Sequence, residues 1–291
     1  MKKILVIGSV NIDNVTYTSV LPGPGMTIFG ESFISNLGGK GANQACAIKF
    51  LGGDIEFYAS VGNDDNGKRV QNFLNSVDLK ANLKISDKNT GVASITIDTK
   101  NAENRIIIVQ GANADIYPSD IDQIDFSKYD FLLMQLENPV ETIVHAMRRA
   151  KEAGLTVLLN PAPYHELPKE AFQYIDYFIP NEHELDGYVP DVYGFEEKAR
   201  KLIKQGVKKV IITLGRNGSM YVDEKSSFNV EAVRVNAVDT TAAGDCYCGA
   251  FLVGLADDLD IKDAMKFASK ASSVAVTRKG AIASLPKLED L

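Results

Sequence analysis

The sequence predicts an α/β fold, a mostly parallel central sheet with helices on both faces, together with a small β-sheet lid. Three observations carry this expectation. Short β-branched runs alternate with helically spaced segments along most of the chain. Those runs are predominantly apolar and read as strands buried on both faces. Two stretches break the rhythm with turn and hairpin signals of their own.

In chain order, the buried-strand runs are residues 3–8, 55–61, 129–136, 156–160, 177–179 and 209–214. Helical spacing covers 42–51, 67–76, 139–153, 195–205 and 261–277, and an apolar helix follows Asp245 over 246–255. Ligands of such a sheet are expected at the carboxyl ends of its strands. The exceptions are 15–35, which lacks helical periodicity and carries the turn Pro22-Gly23-Pro24-Gly25, and the runs 93–99 and 105–110 separated by 100–104. Residues 11–35 and 92–110 are therefore assigned to the lid. Residues 1–10, 36–91 and 111–291 form the large domain, at whose strand ends the ligand sites are expected. Small or polar residues alternate with apolar ones over 93–98. One face of that strand needs cover, from bound substrate or a second subunit.

With 291 residues, 45% of them hydrophobic, the chain can bury a large core. A net charge of -7 without a Lys/Arg-rich block argues against nucleic acid and anionic membrane as partners. The N-terminal apolar run breaks at Gly8, too short for a signal sequence, and no stretch approaches a membrane span. Cys46, Cys246 and Cys248 fit a reducing compartment, so a cytoplasmic protein is expected. Cys246 and Cys248 diverge on a helix and read as buried small residues rather than a metal pair.

The chemistry centres on Ala237-Val238-Asp239-Thr240-Thr241-Ala242-Ala243-Gly244-Asp245. A turn of small residues opening a helix leaves its first N–H groups uncovered, and the helix dipole adds positive potential there. The amides of Ala242, Ala243, Gly244 and Asp245 form a candidate anion hole. A carboxylate at that place, Asp245, suits a base that takes a proton from a group attacking phosphorus. Gly38-Gly39-Lys40-Gly41-Ala42-Asn43-Gln44 permits close backbone approach to a ligand, with Lys40 and Asn43 as donors; a capped tight turn explains it equally well. Asn11 and Asp13 lie two apart and in extended chain point the same way, as a fork for a polyol or as an Asx turn. Asn181 and Glu184 fit a capping box, or oxygens holding waters around Mg²⁺. Residues 213–218 read as a nucleotide shelf or a hairpin turn into 219–223. Gly62-Asn63-Asp64-Asp65-Asn66-Gly67-Lys68-Arg69 has P-loop spacing but places Arg where Ser or Thr is needed and two Asp where phosphate would lie. It is rejected. His145, His165 and His183 lack metal spacing.

Together these pieces resemble the ribokinase (PfkB) family of carbohydrate kinases. Residues 38–44 resemble its N-terminal glycine signature and 238–245 its C-terminal signature. Residues 8–13, 90–93, 110–114, 134–137, 160–163 and 276–281 resemble further family motifs in the same order. The resemblance implies a ribokinase-like fold and ATP-dependent phosphorylation of the primary hydroxyl of a small sugar, D-ribose to ribose 5-phosphate. Deoxyribose, fructose or a nucleoside are the alternatives within the class, and a silent sugar-binding regulator outside it. By the same resemblance Asn11, Asp13, Gly39, Lys40, Asn43 and Glu137 match sugar-contacting positions, and Asp245 the base. Asn181 and Glu184 match the Mg²⁺/phosphate element, while Thr213, Gly215, Gly218 and Gly244 match the nucleotide side. Asp239, Thr241, Ala275, Arg278, Gly280 and Ser284 match a loop that holds K⁺, and a homodimer through the lid is implied. Two departures stand out. Cys246-Tyr247-Cys248-Gly249 replaces the family's common Thr-Phe-Asn-Gly, and Ser269 stands where a histidine near adenine is found.

Overall fold

The first strand, β1 (Lys3–Ile7), shows how the layers arise. Ile4 and Val6 pack into one core and Leu5 and Ile7 into another, because successive strand side chains face opposite ways. The structure is a computed structural model describing residues 2–101 and 103–291. Further strands are β2 (Asn11–Thr18), β3 (Ser32–Gly38), β4 (Asp54–Gly62), β5 (Ala81–Ser86), β6 (Gly91–Asp98) and β7 (Glu103–Val109). They continue with β8 (Phe131–Met134), β9 (Thr156–Leu159), β10 (Tyr177–Phe178), β11 (Lys209–Thr213), β12 (Ser219–Val222) and β13 (Ser227–Val230). The helices are α1 (Lys40–Phe50), α2 (Asp65–Ser76), α3 (Pro118–Ile121), α4 (Val140–Glu152), α5 (Glu182–Tyr188), α6 (Phe195–Lys204), α7 (Ala243–Ala256) and α8 (Ile261–Ala275).

Among the described residues the strands form a nine-stranded sheet in the order β13-β12-β11-β10-β9-β8-β1-β4-β5 and a separate four-stranded sheet, β3-β2-β6-β7. The large sheet is parallel from β5 to β11, and β12 and β13 add an antiparallel edge. Helices α1, α7 and α8 bury their apolar residues in the core containing Ile4. Helices α4, α5 and α6 cover the opposite face. The expected mostly parallel sheet with helices on both faces is what the chain forms. Strand β5 was not anticipated: in Ala-Asn-Leu-Lys-Ile-Ser only Ser86 is fully buried, so its pattern lacks the apolar run of its neighbours.

From β1 the chain builds β4 and β5 on one side, then returns to build β8 to β11 on the other. The crevice at such a reversal, outside the carboxyl ends of β1 and β8, is where an open α/β sheet binds ligands. The small sheet is rooted there. Asn11, the first residue of β2, pairs with Gly38 at the end of β3 and with Gly91 at the start of β6. No Asx turn forms at Asn11; the chain runs from β1 through Gly8-Ser9-Val10 straight into β2. The β6–β7 turn is closed by Asp98, whose Oδ1 accepts from the Lys100 and Asn101 amides at 2.9 and 3.1 Å. Residue 102 of that turn and Met1 lie outside the described residues.

Register places Gly38, Asn11 and Gly91 in one row across the small sheet, and Asn36, Asp13, Ala93 and Ile108 in the next row on the same face. Further out on that face comes Ile34, Val15, Ile95 and Ile106. One face thus changes from polar at its root to apolar at its tip. Every residue of the edge strand β7 is exposed.

Candidate active site

Helix α7 begins where the sequence places it, but the turn before it is tighter than a run of small residues requires. Ala242 adopts the left-handed conformation, φ 57° and ψ 10°, one that costs a residue with a Cβ about 1–2 kcal/mol. The kink lets the Ala243 N–H reach back to the Thr240 carbonyl at 3.2 Å. That corrects one expectation: the Ala243 amide is engaged within the turn. Among the described residues the Gly244 and Asp245 amides have no such backbone acceptor, as the first residues of a helix must lack one. They are the open donors of the site.

Asp245 is buried yet borders a cleft of about 980 Å³. Its Oδ2 accepts from Asn43 Nδ2 at 2.8 Å and its Oδ1 from Gln44 Nε2 at 2.9 Å. Both donors come from α1, which packs across α7. That helix starts directly after Gly39, whose φ of 90° only glycine holds without strain.

Glu137, just beyond β8, accepts from the Lys40 amide at 2.9 Å and from the Ser9 hydroxyl. Its carboxylate therefore sits at the N-terminus of α1, favourable for negative charge. Burial and the neighbouring Glu137 and Asp245 charges push the Asp13 carboxyl up to about 6. Burial opposes the charge on Lys40, but Asp245, Glu137 and Glu184 outweigh it and raise the ammonium above its ordinary value. Asn11 accepts from Asn113 Nδ2 at 2.7 Å, which fixes its amide. Asn11, Asp13, Gly39, Asn43 and Glu137 thus gather at the root of the small sheet, next to Asp245, and Lys40 joins them through its backbone while also lining the cleft.

The cleft itself lies on the other side of Asp245, outside the ends of β9, β10 and β11. Asn181, Glu184, Thr213, Gly215, Gly218 and Gly244 all line it. Asn181 and Glu184 form a full capping box: Glu184 accepts from the Asn181 amide at 2.9 Å and from its Nδ2 at 3.0 Å, and returns its own amide to Asn181 Oδ1 at 2.8 Å. Burial chiefly, with the Asp245 charge, raises the Glu184 carboxyl above its ordinary value despite the Asn181 amide and Lys40. Residues 213–218 form the antiparallel hairpin turn as well as the cleft wall.

Beneath α7, Asp239 Oδ1 accepts from the Thr241 amide and hydroxyl at 2.9 and 2.6 Å, and Oδ2 from the Gly280 amide at 2.9 Å. These donors overcome burial and hold the Asp239 carboxyl below its ordinary value. The Arg278 side chain turns away to Asp290. Ala275 and Ser284 are buried, and the Ala275 carbonyl accepts the Arg278 amide at 3.0 Å. Among the described residues the carbonyls of Asp239, Thr241, Arg278 and Gly280 accept no such backbone N–H.

Several features escaped the sequence reading. Val233, Arg234 and Val235 line the cleft from an irregular segment with no periodicity to reveal it. Gln44, Gln135 and Asn160 carry polar contacts to or near Asp245. The available signal was a long amide at position 44 within the buried run of α1. The cysteines are buried, and burial pushes the thiols of Cys46 and Cys246 up to about 12. The rejected P-loop segment caps α2 instead, with Asp64 accepting from Gly67 and Thr90.

Fold and cleft define a class: an α/β protein whose reversal-point site brings an open helix start and a set of buried polar side chains to one carboxylate. Residues 1–288 match the pfkB family of carbohydrate kinases, and the chain belongs to that family. It is 36% identical over 295 residues to a ribokinase of Lactococcus lactis subsp. lactis, covering 100% of this chain and 96% of that one. Identity to a Schizosaccharomyces pombe ribokinase is 39% over 306 residues, covering 99% and 96%. A deoxyribokinase of Salmonella typhi is 37% identical over 295 residues, covering 98% and 96%. The crystal structure of a Thermotoga maritima ribokinase superposes with a TM-score of 0.93 at 34% identity, covering 100% and 98%. An Arabidopsis thaliana ribokinase complexed with ribose and ATP gives 0.90 at 29%, covering 99% and 96%.

Proposed function

We propose that this chain transfers the γ-phosphoryl group of ATP to the primary hydroxyl of D-ribose, giving ribose 5-phosphate. One observation carries the reading: Asp245 stands between the open amides at the start of α7 and the polar set at the root of the small sheet. The family and the ribokinase relatives support it. The chain is an ATP-dependent sugar kinase. A catalytically silent regulator would have no need of the base, the helix start and the capping box together.

Ribose is held by Asn11, Asp13, Gly39, Lys40, Asn43 and Glu137. Asp245 accepts the proton of the attacking hydroxyl as the bond to phosphorus forms. The Gly244 and Asp245 amides, with that of Ala242, stabilise charge developing on the transferred group. Thr213, Gly215 and Gly218 flank the nucleotide. Kinases of this family use ATP with Mg²⁺, which when bound neutralises phosphate charge. Asn181 and Glu184 would hold it through water: each Glu184 oxygen accepts one hydrogen bond and keeps a lone pair. Asp239, Thr241, Ala275, Arg278, Gly280 and Ser284 would hold K⁺. An all-oxygen set suits such a hard cation, and among the described residues the carbonyls of Asp239, Thr241, Arg278 and Gly280 carry no backbone partner. An ion there would stiffen the backbone that presents the α7 amides.

The small sheet acts as a lid over the sugar. Its apolar tip, with Ile34 and Ile106 39% and 52% exposed, supports a homodimer formed lid to lid. Sedimentation at micromolar concentration should show a dimer, and a monomer would remove that part of the reading. Among the described residues no helix is long and apolar enough to cross a membrane, and a cytoplasmic enzyme is the reading that fits the thiols.

The test is a substrate panel with coupled ADP detection, with and without K⁺. Ribose should release ADP fastest, and K⁺ should raise the rate. The deoxyribokinase relative is as similar as the ribokinases, so 2-deoxyribose is the decisive competitor. Faster turnover of deoxyribose, fructose or a nucleoside would replace ribose in this reading, and no ADP with any sugar would end it.

A further inference from the structure

We propose that Gln44 is a positioning residue for Asp245, and that Gln135, which never touches Asp245, fixes the direction in which the Gln44 amide points. The inference rests on the kinase reading above and adds to it a polar relay behind the base.

Which atoms can donate decides how the Gln44 amide is oriented. Asp245 acting as a base is ionised and only accepts, so the Gln44 atom 2.9 Å from its Oδ1 must be the NH₂. The second hydrogen of that NH₂ points to Asn160 Oδ1 at 3.1 Å. Asn160 is constrained from its far end, because its Nδ2 donates to the Ile179 carbonyl at 2.8 Å, and a backbone carbonyl can only accept. Both ends therefore demand the same orientation of Gln44. Its Oε1 is then left facing Gln135, whose Nε2 donates to it at 2.6 Å.

Gln135 Oε1 is buried with no partner. It lies against Gly8, where a Cβ would overlap it. Gly8 is thus glycine because this side-chain amide and the Gly41 backbone together occupy the space a Cβ would need. Leaving a buried acceptor unpaired is unfavourable. The protein tolerates this at the end of the relay, where the other half of the same amide holds Gln44. Gln44 and Gln135 are essentially inaccessible to solvent, so water cannot take over either role.

The consequence for the reaction is geometric. Asn43 holds one oxygen of Asp245 and Gln44 the other, so the carboxylate plane is fixed from two sides. Each oxygen keeps a lone pair, and the ribose proton goes to one of them with no reorganisation of the carboxylate. Because Asn160 and Ile179 precede the cleft residue Asn181, the relay also ties the base to the strand ends that carry the nucleotide.

Three variants test this: Gln44→Met, Gln135→Glu and Gln135→Met, assayed for kcat and KM with ribose, ribose affinity by calorimetry, and Tm. Gln44→Met should lower kcat by about tenfold to 10²-fold, the penalty for a misplaced reacting group, with KM and ribose affinity within about threefold. Assayed at a pH that ionises the introduced carboxyl, Gln135→Glu sets an acceptor against Gln44 Oε1 and pushes the Gln44 amide away from its place on Asp245. It should therefore lower kcat more than Gln135→Met, which only removes the donor. A role in packing alone would instead move Tm in all three while leaving kcat of the folded fraction intact. If wild type turns over ribose and Gln44→Met keeps kcat within about twofold, this inference is overturned and the kinase reading stands. If Gln44→Met is too unstable to assay, the order of the two Gln135 variants decides, and equal kcat for both overturns it. A wild type that releases no ADP with any sugar sinks the kinase reading and this relay with it.

Discussion

The two sides of Asp245 are built differently. On the side proposed to hold the sugar the protein fills its own space. A Cβ on Gly38 would overlap the Asp13 carboxylate, and one on Gly41 would overlap the Ser9 backbone. Asn11, Asn43 and Gln44 are buried and hydrogen-bonded to fixed partners. On the side proposed to hold the nucleotide, Gly215 and Gly244 have open space where a Cβ would sit, although one on Gly218 would overlap the Val230 carbonyl. Residues 232–242 cross that cleft without regular structure and are largely exposed. The sugar half is thus preorganised by the protein, whereas the nucleotide half is completed by what binds there. Changes to the first should cost specificity and stability, and changes to the second mainly nucleotide affinity.

The largest effect is expected at the joint between the halves. Asp245→Asn should lower kcat by about 10²–10⁴-fold, the range for losing a general base. The amide oxygen can still accept from one of Asn43 and Gln44 while its NH₂ faces the other donor, so the side chain is held less firmly but keeps its place, and ribose affinity measured by calorimetry should stay within a few-fold. Near-normal turnover would defeat the mechanism, and a matching collapse of ribose binding would move Asp245 wholly into the sugar half.

Asp13 gives the sugar half a pH dependence. Its carboxyl is held at about 6 in the fold, against 3.8 for an ordinary Asp. Between those values the folded chain binds more proton than the unfolded one. This contribution to stability is fully present below the lower value and lost as pH rises through the upper one, on the order of 3 kcal/mol. Asp13→Asn should remove the dependence, raising Tm at neutral pH while weakening ribose binding. In the wild type, KM for ribose should climb below about pH 6 as Asp13 gains a proton and stops accepting two hydrogen bonds. A flat KM across that window would place Asp13 outside the sugar contacts.

A pair of alanine substitutions compares the halves directly. Gly41→Ala must displace the Ser9 backbone and should destabilise the fold by about 1–3 kcal/mol, the cost of overpacking. Gly244→Ala lies in helix α7 with open space around it, so it should leave Tm unchanged or raise it by up to about 1 kcal/mol of stability. Its effect should fall on KM for ATP, because a methyl group there obstructs approach to the open amides. Equal destabilisation by both would erase the distinction between the halves.

How much of this was legible in the sequence follows the same division. The central strands of the large sheet were readable because burial on both faces writes itself as apolar runs such as Val210-Ile211-Ile212, whereas the edge strands β5 and β13 lack such runs. Gly38 to Gln44 and Asp239 to Asp245 could be located because tight turns restrict residue type. Residues 232–235 were invisible: an exposed strap over a cleft needs no periodicity. The relay from Gln135 through Gln44 was hidden for another reason. Its members are 91 residues apart in the chain and meet only because α1 crosses the ends of β1 and β8. Sequence patterning records which face is buried, and it does not record which buried amides face each other.

The smallest effect expected is at Ala242, and it separates strain from function. Its φ of 57° is unfavourable for a residue with a Cβ, whereas glycine adopts it freely. Ala242→Gly should therefore stabilise the folded chain by up to about 1 kcal/mol, less whatever the added freedom of the unfolded chain takes back. The same freedom loosens the turn that directs Gly244 and Asp245 at the cleft. If the turn is held by its own sterics, the variant should gain Tm and lose some kcat, two- to fivefold at most on the order of what about 1 kcal/mol of preorganisation supports. If instead a bound K⁺ holds the turn, raising K⁺ should restore kcat in the glycine variant to the wild-type value. A variant that loses kcat with no response to K⁺ would leave the Asp239–Gly280 contact, not an ion, as the element that fixes this backbone.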